Sequence, residues 1–129
     1  MNRQEIDQLG EQIVGALIEV HRHLGPGLLE SAYEVAFCHE LTLRGLSFER
    51  QLQVPVEYKG VKLEAAFRLD VLVERTIIVE LKAVAQISPI FESQIISHLK
   101  LLAKPLGYLA NFHMKLMKDG IRRFANFPS

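Results

Sequence analysis

The chain of 129 residues has one cysteine, no formal net charge, and no uninterrupted apolar run of transmembrane length. Cys38 alone excludes an internal disulfide and a cysteine zinc cluster. It falls beside Phe37 in a helical pattern, where a buried thiol is expected rather than a nucleophile. The N-terminal Met-Asn-Arg-Gln-Glu-Ile-Asp has no signal-peptide character, so a cytoplasmic protein is expected, with no membrane partner. The glycines at 25, 27, 45, 60, 107 and 120 form no phosphate-loop signature, and no serine sits in a nucleophile elbow. His21 and His23 are two apart and lack the i,i+4 spacing of a zinc helix. Nucleotide-driven, serine-hydrolase and zinc-protease chemistries therefore have no support.

Zero net charge does not advertise a nucleic-acid binder, but the charges are unevenly placed. Residues 1–64 carry ten acids and six bases, residues 65–129 five acids and nine bases. From Ser93 onward Lys100, Lys104, Lys115, Lys118, Arg122 and Arg123 face the lone acid Asp119. That stretch is either a phosphate-holding surface or a solvated face.

An apolar fraction of 49% excludes disorder, and no linker, repeat or low-complexity segment divides the chain. One domain spanning 1–129 is expected. Ile6, Leu9, Ile13, Leu17 and Val20 recur at helical spacing, predicting a first helix from about Gln4 to His21, stopped by His23-Leu-Gly25-Pro26-Gly27. A second helix is predicted from about Leu28 to Arg44, with Gly45 as its cap. Strands follow over Phe48 to Tyr58 and Val61 to Val73 around a Lys59-Gly60 turn, with a break or bulge at Pro55. After a third strand, Ile77 to Lys82, Ser88-Pro89 opens a helix reaching about Ala103. Leu106 to Phe112 reads as a strand covered on both faces, and Ile121 to Phe124 as a short final one. The fold class is α/β, a mixed sheet flanked by helices.

The informative stretch is Arg68-Leu-Asp70-Val-Leu-Val-Glu-Arg-Thr-Ile-Ile-Val-Glu80-Leu-Lys82, an apolar hairpin interrupted by two acids and a lysine. Glu80 and Lys82 share one strand face. A two-residue loop would set Asp70 and Glu80 on opposite faces. A three-residue loop, Glu74 to Thr76, pairs Val73 with Ile77, Val71 with Val79, Leu69 with Leu81 and Asp70 with Glu80. It gathers six aliphatic side chains on one face and is preferred, since a slip would strip the core. Converging carboxylates are costly to desolvate unless an ion or water offsets them. They suit Mg²⁺ or Mn²⁺, which would polarise a phosphodiester and acidify attacking water, with Lys82 positioning that water or stabilising phosphoryl charge. The plain alternative is an amphipathic hairpin with a solvated salt bridge.

Two helices carry further candidates. Glu30 opens the second helix, where it is a ligand or an ordinary first-turn acid favoured by the dipole. Gln94 and His98 are one turn apart on the third helix and either address one ligand or form a half-exposed polar face. Tyr33, on an apolar stripe, is expected in the core with its hydroxyl satisfied.

Gly27-Leu-Leu-Glu30-Ser-Ala-Tyr33 resembles the signature of the GxxExxY protein family, assigned to the PD-(D/E)XK nuclease-like superfamily. The likeness extends over His23 to Glu34, Gln51, Tyr58-Lys-Gly60, Asp70, Ile78 to Ala83, Gln94, and Gly107 through Asn111-Phe112. It implies a restriction-endonuclease-like αβββαβ core with an extra N-terminal helix. It further implies Asp70, Glu80 and Lys82 as the catalytic triad, Glu30 as an additional acid and metal ligand, and Gln94 as the glutamine of the following helix. Where related nucleases often carry a tyrosine one turn later, this chain has His98, a phosphate contact by position. The implied activity is Mg²⁺-dependent phosphodiester hydrolysis of nucleic acid, with DNA favoured. The alternative is a nuclease-like binding or regulatory protein with little catalysis alone. Neutral charge points to weak substrate binding or to help from a homo-oligomer or partner protein.

Overall fold

A computed structural model describes residues 1–128. Helix α1 (Arg3–Leu24) begins with a capping box in which Asn2 and Glu5 exchange side-chain and backbone hydrogen bonds. It buries the predicted stripe and runs three residues past His21. Gly25 then ends it at φ 68°, a left-handed value that glycine adopts without Cβ strain. Helix α2 (Glu30–Leu43) starts two residues later than predicted. Leu29 is its extended N-cap and is 78% exposed, while the Leu28 N–H donates to the Tyr33 hydroxyl.

That hydroxyl also donates to the Gly25 carbonyl at 2.5 Å, and the ring stacks on Phe112 with centroids 4.3 Å apart. Tyr33 is thus a buried clasp that ties the Gly25-Pro26-Gly27 turn to α2. Tyr33→Phe should keep the stack and lose both hydrogen bonds, lowering stability by roughly 1–3 kcal/mol. Urea unfolding at unchanged m-value would check this.

Strands β1 (Phe48–Tyr58), β2 (Val61–Val73) and β3 (Ile77–Lys82) form a meander with the predicted boundaries, and Pro55 sits at the expected register shift. Ser88 caps helix α3 (Pro89–Leu102), which crosses over to β4 (Leu106–Asn111) so that β4 lies parallel to β3. A 3₁₀ turn (Met117–Gly120) leads to β5 (Ile121–Ala125), antiparallel to β4. Sheet order is β1-β2-β3-β4-β5. The result is an α/β fold of three helices on a five-stranded mixed sheet, restriction-endonuclease-like as expected.

α1 and α2 cover one face through a core including Ile13, Leu17, Phe37, Val79 and Leu81; Ile95 and Leu99 of α3 cover the other. Gly107 lets α3 come close, because a Cβ there would stand 3.1 Å from Ile95. Of the six aliphatics predicted on one hairpin face, five enter the first core. Leu69 does not: it packs with Leu72, Ile78 and Ile95 on the α3 side. The reason is a break in strand regularity. Gln51 takes φ 52°, the β1–β2 ladder passes from Arg50–Val71 to Leu52–Leu69 without an intervening rung, and the β2–β3 ladder stops at Val71–Val79. Simple alternation therefore fails beside Asp70. No described helix is long and apolar enough to cross a membrane.

Candidate active site

The β2–β3 turn is the three-residue one: Val73 pairs with Ile77, Leu72 with Ile78 and Val71 with Val79, while Glu74 and Arg75 adopt left-handed φ values. The next rung would set Asp70 against Glu80, but the ladder opens there. Asp70 Oδ2 instead accepts the Leu81 N–H at 2.9 Å. A side chain thus replaces a backbone rung and holds the Asp70 carboxylate beside β3.

Asp70 and Glu80 are each only 9% exposed. Burial, followed by the charge of Asp70, pushes the Glu80 carboxyl up to about 9. Its Oε1 has no hydrogen-bond partner, and neither has Nδ1 of His98, 3.8 Å away. Burial lowers the His98 pKa, against a raising influence from Asp70. Near neutrality this contact therefore joins a protonated carboxyl to a neutral imidazole, not two ions. The His98 ring lies flat on Phe67, centroids 4.1 Å apart.

Lys82 closes the same cleft. Its position is fixed from behind: the Phe112 N–H donates to the Lys82 carbonyl, and the Asn111 side chain bonds both backbone groups of Val84. The ammonium rests 4.3 Å over the Phe91 ring. Among the described residues it forms no ion pair with either acid. The cleft, of about 430 Å³, brings together Asp70, Glu80, Lys82, Gln94 and His98.

Glu30 is not on the cleft wall. It is exposed at the first turn of α2, yet close enough for Lys82, Asp70 and Arg68 to act on its carboxyl, which desolvation chiefly holds above the ordinary range. Among the described residues no three His, Cys, Asp or Glu side chains cluster as a ready metal cage. What remains is a pair of acids with an orphaned oxygen. This donor set fits a hard divalent cation that keeps part of its water shell.

Sequence reasoning missed Gln53, Phe67, Arg68 and Phe91, which also line the cleft. Arg68 lies two residues from Asp70, Gln53 is its cross-strand partner, and Phe91 is one helical turn before Gln94, so register and periodicity held the signal. It also missed buried Glu34, which ties α2 to β1 through Arg50 at 2.7 Å and through Gln51. Of the six late bases, three have protein partners: Arg122 on Glu92, Arg123 on Asp7, and Lys104 on the Arg75 carbonyl. A six-charge phosphate track is therefore not assembled.

The family model described as the PD-(D/E)XK nuclease superfamily matches residues 7–124. No curated protein and no solved structure matches the chain.

Proposed function

Because the chain belongs to the PD-(D/E)XK nuclease superfamily, we propose that it hydrolyses phosphodiester bonds of nucleic acid, preferentially DNA, with Mg²⁺ or Mn²⁺ as cofactor. The observation that carries this is Asp70 and Glu80 side by side in one cleft with Lys82, one buried Glu80 oxygen being unpartnered. Nucleases of this superfamily generally use divalent metal ions. Asp70 and Glu80 would hold the ion, with Glu30 contributing from the rim. When bound, the ion supplies Lewis acidity and lowers the pKa of attacking water. Lys82 leaves the Phe91 face to orient that water or stabilise the phosphoryl oxygens. Gln94 and His98 orient the substrate phosphate. The resemblance of Gly27 to Tyr33 to the GxxExxY signature supports reading the chain as a member of that family with one nuclease-like domain over 1–129, and the preference for DNA rests on this resemblance.

A second reading, a nucleic-acid-binding or regulatory protein without turnover, is favoured by the Lys82 ammonium lying on Phe91 and by Glu30 standing off the cleft wall. Incubation with labelled DNA and RNA separates the two. Cleavage is expected with Mg²⁺ or Mn²⁺, lost with a chelator and restored by excess ion. Cleavage that survives chelation would remove the metal from the proposal, and binding without cleavage under every condition would favour the second reading.

A further inference from the structure

Residues 52–58 and 61–69 have only each other as ladder partners, so β1 and β2 extend as an arm past the body of the sheet. Alongside the arm runs α3. Between them lies a groove of about 340 Å³, within the roughly 300–1,000 Å³ of small-molecule sites. Its walls are mainly apolar: Val56, Leu63 and Ala66 from the arm, Ile90 and Leu101 from the helix. Leu63 is 45% exposed, and Ile90 and Leu101 are each 56% exposed. Such a strip of open aliphatic surface asks for a ligand face to cover it.

This groove is continuous with the acidic cleft, because Phe67, Gln94 and His98 line both. We propose that the joined trench takes an unpaired nucleotide, with the scissile phosphate at the acidic end and the adjacent base against Leu63, Ile90 and Leu101. The inference rests on the hydrolytic reading and narrows its substrate to single-stranded nucleic acid. A base has apolar faces that can cover such aliphatic walls whichever base it is. In a duplex those faces are already stacked and the edges paired, so entry requires flipping the nucleotide out. A peptide would match the apolar end but leave the end that joins Asp70, Glu80 and Lys82 without a function.

Binding of the full-length Glu80→Gln protein to a fluorescein-labelled oligothymidine, read by anisotropy in Mg²⁺, tests this. The single strand should bind at least about tenfold more tightly than the same strand annealed to oligoadenosine. Leu63→Ser and Ile90→Ser, both at exposed positions, should each weaken single-strand binding toward the duplex level, as should an abasic strand. A tenfold loss corresponds to about 1.4 kcal/mol. Equal or tighter duplex binding, no measurable single-strand binding, or unchanged affinity in both serine variants would overturn the proposal. If the wild type cuts nothing while single-strand preference holds, the hydrolytic reading falls and the trench stands. If it cuts duplex as fast as single strand, hydrolysis stands and the trench assignment falls.

Discussion

Glu80→Gln should lower nucleic-acid hydrolysis by roughly a thousandfold and leave the metal-free protein more stable than wild type. The first effect follows from losing a carboxyl that would give up its proton to a bound divalent ion and hold it as a carboxylate. The second follows from burial. Glu80 lies beside Asp70 with an unpartnered Oε1, and its carboxyl is raised from 4.5 to about 9. Between those values the native state keeps a proton that the unfolded chain releases. The associated stability is complete at low pH, falls as pH rises through this window, and is lost by about pH 9. Glutamine does not titrate, so the advantage of the variant should widen from pH 5 to pH 9, by about 5 kcal/mol. Urea unfolding in a chelator across that range measures it. A wild type that stays as stable as the variant at pH 8.5 would show that Glu80 is not a strained acid.

Lys82→Met should lower turnover by about 10²–10⁴-fold while changing stability by less than about 0.5 kcal/mol. The flexible thioether can keep the contact with Phe91, and no ion pair with Asp70 or Glu80 is lost, because none is made. Oligonucleotide affinity should fall far less than turnover, since the lysine is assigned to water and developing charge rather than to ground-state binding. Single-turnover cleavage with saturating protein separates these effects. A variant retaining more than a tenth of wild-type turnover would remove Lys82 from the reaction and leave it as a partner of Phe91.

Most of the scaffold is legible in the chain because it rests on local rules. The strand pattern and Lys59-Gly60 set the β1–β2 hairpin, Ser88-Pro89 set the start of α3, and Gly25 set the end of α1. The β2–β3 register followed from keeping Val71, Val73, Ile77 and Val79 on one core, a long-range constraint expressed in short-range alternation. Leu69 shows where that logic stops. Gln51 breaks the ladder opposite Asp70, its side chain engaging Glu34 of α2, and no period-two reading can anticipate a bond to a distant helix.

The sequence by itself determined the elements, the hairpin register, and therefore that Asp70 and Glu80 would meet; apolar alternation leaves no other register that fills the core. Only the tertiary structure decided how they meet. It gave a rung of the ladder to the Asp70 side chain, stacked His98 on Phe67 beside an unpartnered Glu80 oxygen, laid Lys82 on Phe91 and left Glu30 at the surface. Those outcomes depend on packing between elements far apart in the chain, where burial rather than pattern sets the charge and direction of each polar group.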